Sequence, residues 1–177
     1  MSNFKLEAGS EFPSITLPSL SGQDHELGTP RSDLEWKMIV VYRGKHCPIC
    51  SRFLGDLKAH VDALKATGID LVAVSGDPED KARAQMELVE PNYEVAFDLS
   101  IAQMKQLGLY ISDPRGPRET DRPFAEPGIF VVNEQGTLQV TELANGPFVR
   151  PNLDLLIGGL KFIRDPKNNY PIRGMHE

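Results

Sequence analysis

The sequence predicts an α/β fold, a central mixed sheet flanked by helices with a short N-terminal β-hairpin extension, built as a single domain over residues 1–177. Three observations predict it. Two near-continuous apolar runs, Met38–Tyr42 and Ile69–Ser75, bracket a segment with helical spacing. Runs of that kind are strands buried on both faces of a parallel sheet, so the three together form a βαβ unit. Further on, Ile129–Asn133 and the alternating Thr137–Thr141 are joined by Glu134-Gln135-Gly136, an antiparallel hairpin. The last periodic stretch, Asn152–Arg164, is an amphipathic helix that completes a β–β–α ending.

The first 35 residues are rich in Pro, Gly and Ser. Ser14–Leu17 alternates weakly, Ser21–Asp24 supplies a turn, and His25–Leu27 returns as the second strand of the hairpin. His25 reads there as a solvated strand residue. Trp36-Lys37 leads into the central strand, Met38 to Arg43. After Cys50, Phe53, Leu54, Leu57, Val61 and Leu64 follow helical spacing, His60 lies on the surface, and Gly68 ends the helix. Asp77 is the candidate N-cap of the next helix, with Pro78 at its first position and Pro91-Asn92 as its stop. Val95-Ala96-Phe97 makes a short strand, and Ser100 caps a helix that ends near Gly108. Asp113–Phe124, with three Pro and three Arg, is a long polar loop of the kind that is often functional. Residues 165–177 read as an extended C-terminal tail.

The balance of residues narrows the function classes. At 177 residues the chain can bury one sizeable core, and 40% hydrophobic with 25% charged residues is ordinary for a globular protein. A formal net charge of −6 and the lack of a basic stripe argue against a nucleic-acid or anionic-membrane partner. The first residues lack the apolar core of a signal peptide, and no run reaches membrane-spanning length, so the expected location is cytoplasmic.

Both cysteines of the chain lie in Cys47-Pro48-Ile49-Cys50, between the central strand and the first helix. With Pro48 at the first helical position, Cys47 falls at the N-cap and Cys50 one turn on. Unpaired N–H groups and the positive end of the helix dipole favour a thiolate at Cys47, and two intervening residues let the sulfurs form a reversible disulfide. Arg43, Lys45 and His46 add positive potential just before the motif; plain loop solvation is their alternative role. A structural zinc site needs four Cys or His ligands, and no second pair at ligand spacing exists, so no metal is expected. Haem attachment needs a His after Cys50, where Ser51 stands. Two inert buried cysteines are the remaining alternative, and the strand–motif–helix context weighs against it.

The element order, the lead Gly9-Ser10-Glu11-Phe12-Pro13, the strand end Val41-Tyr42-Arg43-Gly44 and the block from Pro127 to Gly136 resemble the thioredoxin-fold superfamily, and within it the alkyl hydroperoxide reductase / thiol-specific antioxidant, peroxiredoxin-like branch. The likeness covers roughly residues 6 to 164. It implies a thioredoxin-like fold and a thiol-dependent antioxidant oxidoreductase. The chain departs from that family's peroxide site, which resembles Pro-x-x-x-Thr-x-x-Cys plus a later Arg. With the family's nucleophile laid on Cys50, the Pro falls at Arg43, the Thr at Cys47 and the Arg near Pro127. What stands there resembles thioredoxins instead: a Cys at the Thr position, and Pro127 where thioredoxins keep a cis-proline that leaves the preceding backbone free for a substrate peptide. Arg115, Arg118 and Arg122 of the polar loop are candidates for the missing Arg, with ordinary surface positions as the alternative.

The leading expectation is therefore an enzyme cycling a Cys47–Cys50 dithiol and disulfide against hydroperoxides or disulfides, with Arg43, His46 and Pro127 on the substrate side. Against a disulfide, Cys47 attacks and Cys50 resolves. Against a peroxide, the family alignment favours Cys50 as attacker, with Cys47 condensing on its sulfenic acid. No nucleotide, flavin or metal motif occurs, so no cofactor is expected, and electrons come from an external thiol such as thioredoxin or glutathione. Peroxiredoxin relatives are often dimers, which makes a homodimer an expectation of the resemblance. The rival class is a non-catalytic binding module on the same fold; the intact cysteine pair speaks against it.

Overall fold

The computed structural model describes residues 4–177. Strands β1 (Thr16–Pro18) and β2 (Asp24–Glu26) form the N-terminal hairpin, with Leu17 opposite His25. Then follow β3 (Trp36–Val41), α1 (Pro48–Leu57), α2 (Val61–Ala66), β4 (Ile69–Val74), α3 (Glu79–Val89) and β5 (Glu94–Ala96). The second half has α4 (Ile101–Gln106), β6 (Ile111–Ser112), β7 (Phe124–Ala125), β8 (Gly128–Val132), β9 (Leu138–Leu143) and α5 (Leu153–Arg164). The five-stranded sheet runs β5-β4-β3-β8-β9, with β3, β4 and β5 parallel and β8 and β9 antiparallel. It is the mixed sheet expected, and the fold is thioredoxin-like.

β3 is central, and all six of its residues are buried. Because strand side chains alternate, Met38 and Val40 face one layer, with α1, α2 and α5, while Ile39 and Val41 face the other, with Leu17, Leu27, Phe130 and Met104. Burying α1 residues such as Leu54 and Leu57 stabilises by roughly 1.5–3 kcal/mol each. Register places Val41 between Val74 and Gly128, so the chain leaves β3 toward α1 at the sheet edge where open α/β folds build their sites.

Several local expectations change. The helix after Cys50 is not continuous: a 3₁₀ turn, Lys58–His60, separates α1 from α2. Asp77 does not cap α3, whose N-cap is Pro78 without a side-chain bond; the Asp77 carboxylate instead accepts the Lys45 N–H at 2.7 Å. Ser100 does cap α4, in a reciprocal box with Gln103. The 113–124 loop is closed at its base by the β6–β7 pair. The tail opens with a 3₁₀ turn, Pro166–Asn168, and is otherwise without helix or strand.

His25 is the largest correction. It is buried, because Lys37 points the same way from the odd face of β3 and is wholly buried. Lys37 Nζ lies 2.7 Å from His25 Nε2 and 2.6 Å from Asp70, and Arg31 ties Asp70 to Glu94. A buried ammonium needs such partners, and the hairpin supplies one of them.

Candidate active site

Past β3 the chain turns at Gly44, whose φ is +135°. A Cβ there would sit 2.6 Å from Asp77 Oδ2, so glycine is required twice over. The turn delivers Cys47 to the N-cap of α1, with φ −110° and ψ 99°. Its N–H donates to Gly44 O at 3.2 Å, and its Sγ accepts the Cys50 N–H at 3.2 Å. Both cysteines are free thiols; Cys47 is 3% exposed and Cys50 wholly buried.

Interaction with the Cys50 thiol lowers the Cys47 pKa to about 7 against the opposing effect of burial; the Cys50 N–H, Arg43 and Arg150 help. The same interaction, with burial, pushes Cys50 well above the ordinary thiol range. A thiolate at neutral pH therefore resides on Cys47.

Two arginines flank the sulfurs in different ways. Arg43 is locked by two bonds, 2.8 and 2.7 Å, to the buried Glu126 carboxylate, which also accepts the Ser112 hydroxyl at 2.7 Å. Its guanidinium lies over Phe124, and its charge is partly offset by Glu126. Arg150 is the closer one: Nη2 donates to Cys50 Sγ at 3.1 Å, and the guanidinium stacks on Phe53 at 4.8 Å. Among the described residues no carboxylate pairs with it.

His46 packs on Phe124 with ring centroids 4.5 Å apart, and neither ring nitrogen has a partner among the described residues. Burial lowers its pKa, so the ring is neutral at pH 7 and does not add the positive potential expected of it. Pro127 is buried at the entry to β8, and its peptide bond is trans, not cis. Glu126 N–H donates to Tyr110 O at 2.8 Å and Pro127 O accepts Ala144 N–H at 3.0 Å, so these two groups are not free for a substrate peptide. The Tyr42 hydroxyl is buried and has no hydrogen-bond partner among the described residues.

Cys47, Cys50, Arg43 and His46 thus come together, while the loop arginines do not join them. Arg115 pairs with Glu119, Arg122 with Asp121, and Arg118 is exposed. Sequence reasoning missed Arg150 and Glu126. Arg150 lies a hundred residues from Cys50 with no local signal, whereas Glu126 was visible as a lone charge inside an apolar block. Among the described residues no group of three or more His, Cys, Asp or Glu side chains is placed to hold a metal ion.

A dithiol on a strand-to-helix turn of a thioredoxin-like sheet defines a thiol-dependent oxidoreductase. The pattern of the AhpC/TSA family matches residues 8–141, and the chain belongs to that family. Alkyl hydroperoxide reductase C of Escherichia coli (strain K12) is 27% identical over 143 residues, 77% of this chain and 71% of that protein. The namesake of Salmonella typhimurium is 26% identical over the same length. Among solved structures, peroxiredoxin 6 of Arenicola marina superposes with a TM-score of 0.76 at 16% identity, over 92% of this chain and 75% of its own. A peroxiredoxin-like protein from Aquifex aeolicus gives 0.73 at 18% identity, over 89% and 88%.

Proposed function

We propose that the protein reduces hydroperoxides with its Cys47–Cys50 dithiol, Cys47 attacking and Cys50 resolving. The observation that carries this reading is the start of α1, where Cys47 Sγ at the N-cap accepts the Cys50 N–H at 3.2 Å and its pKa is lowered to about 7. The thiolate attacks the terminal peroxide oxygen and breaks the O–O bond, forming a sulfenic acid and releasing an alkoxide that takes a proton from water. The Cys50 thiol then attacks that sulfur; the disulfide forms, and the sulfenic hydroxyl leaves as water with the Cys50 proton. An external dithiol such as thioredoxin, or glutathione, returns the two electrons by exchange.

A sulfur 3% exposed suits a small oxidant better than a protein disulfide. The Glu126 N–H and the Pro127 carbonyl, already bonded within the fold, speak the same way. The name of the E. coli relative agrees with an alkyl hydroperoxide as substrate. In this reading Arg43 biases the Cys47 thiolate, the neutral His46 borders the peroxide, and Pro127 holds Glu126 against Arg43. The chain works as one domain in a reducing, cytoplasmic setting, as a homodimer.

A second reading makes Cys50 the attacker. Arg150 on its sulfur favours it, as does the family alignment of the nucleophile on Cys50. Stopped-flow thiol loss under hydrogen peroxide in wild type, Cys47→Ser and Cys50→Ser separates the two. Fast oxidation that survives Cys50→Ser and vanishes in Cys47→Ser is expected; the reverse pattern establishes the second reading. Slow oxidation in all three, against rapid exchange with a dithiol's disulfide, refutes peroxide as the substrate.

A further inference from the structure

Gln85 of α3 is 1% exposed and packs against the redox turn. Its Nε2 donates at 3.2 Å to Gly44 O and at 2.9 Å to Ser51 Oγ. These two residues bracket the motif: Gly44 lies three before Cys47, and Ser51 follows Cys50. Both residues are already engaged with Cys47. Gly44 O takes the Cys47 N–H, and the Ser51 N–H donates to Cys47 O at 3.1 Å. One amide group therefore spans the whole of Cys-Pro-Ile-Cys from the rear.

The other end of that side chain is the telling part. Gln85 Oε1 is buried and has no hydrogen-bond partner among the described residues. An orphaned buried acceptor destabilises the fold, so a leucine of similar size would serve packing better.

We propose that Gln85 is a positioning residue for the redox motif: its amide clamps the turn before Cys47 to the residue after Cys50 and so holds Cys47 Sγ on the Cys50 N–H. The inference deepens the dithiol reading given above and rests on it. Without the clamp the Gly44 carbonyl is free to rotate and the N-cap geometry relaxes, since the remaining ties to Gly44 O and Ser51 are backbone bonds within the same turn. Cys47 then meets Cys50, Arg43 and Arg150, the titratable and charged groups that face it, at longer range. Asp77 holds only the Lys45 N–H and does not reach across the motif.

The test uses the full reduced chain as wild type, Gln85→Leu, Ser51→Ala and the double variant. The rate of Cys47 alkylation by iodoacetamide is followed against pH, with mass spectrometry to identify the modified sulfur, alongside thermal unfolding. Gln85→Leu is expected to move the alkylation midpoint up by about one unit, a tenfold loss of thiolate below pH 7, while the unfolding temperature stays the same or rises. Ser51→Ala, which removes one end of the clamp with little loss of volume, should shift the midpoint in the same direction by less. The double variant should match Gln85→Leu alone. An unchanged midpoint with a lowered unfolding temperature overturns the proposal and leaves Gln85 a packing residue. Should Gln85→Leu not fold, an unshifted Ser51→Ala overturns it equally. If wild-type Cys47 itself titrates as an ordinary thiol, the failure belongs to the dithiol reading instead.

Discussion

Arg150 shows how much one side chain can decide. Arg43 acts on Cys47 with its charge partly offset by Glu126, whereas the cation in contact with a sulfur is the one that stacks on Phe53 and touches Cys50. A bond to a charged donor contributes about 1.5–3 kcal/mol, which converts to at least tenfold in rate. Arg150→Ala is therefore expected to slow disulfide formation under peroxide about tenfold or more; a rate within twofold of wild type would remove Arg150 from the chemistry. Arg150→Lys should recover little, since an ammonium cannot both stack on Phe53 and donate in plane. The cysteines were legible in the sequence because their spacing and the adjoining Pro48 carry the geometry locally. Arg150 was not, because its relation to Cys50 exists only once the loop after β9 has folded back over α1. Pro127 misled for the opposite reason: its place in the chain looked like that of a peptide-binding cis-proline, while the bonds already made by Glu126 and Pro127 to Tyr110 and Ala144 are tertiary.

At the scale of elements, the turn from β3 into α1 is where backbone and chemistry meet. Gly44 combines a φ that side chains avoid with an Asp77 carboxylate 2.6 Å from where a Cβ would stand. Gly44→Ala should cost about 2 kcal/mol of stability, visible as a lowered urea midpoint, and should blunt thiolate formation as the turn shifts. A midpoint equal to wild type would show that Asp77 can give way. Most strands and helices of this protein were legible to within a few residues, since buried runs and periodicity are local; the short β6–β7 pair at the base of the polar loop was not. The break at Lys58–His60 was not, because the apolar spacing continues across it. The cap of α3 was misassigned because Asp77 has a stronger claim on it from across the site, the Lys45 N–H.

For the molecule as a whole, the charges under the N-terminal hairpin matter most. His25 titrates at about 4 instead of 6.5, first because burial excludes the charged ring and then because Lys37 and Arg31 repel it. Between those values the unfolded chain takes a proton that the folded chain refuses. Stability is therefore full above 6.5 and is lost as pH falls toward 4, by about 3 kcal/mol from this one group. Urea unfolding should show a lower midpoint at pH 4.5 than at 7, and His25→Gln should flatten most of that slope. A slope that persists in the variant would assign it to carboxylates instead. Nothing local marked His25 as buried: a histidine in a short polar strand reads as solvated until Lys37, twelve positions on, is found beneath it.

The burial of the two sulfurs bears on how such a protein wears out. If Cys47 is the attacking thiol, its sulfenic acid faces two competitors, a second peroxide that must reach a nearly buried residue and the Cys50 thiol one helical turn away. The first is dilute and must diffuse in; the second is tethered, so its effective concentration exceeds any oxidant a cell tolerates. Irreversible over-oxidation to the sulfinic acid thus loses the race at almost every turnover. The protein's lifetime under oxidative stress is then set by how quickly its disulfide is reopened, not by the dose of peroxide it has met.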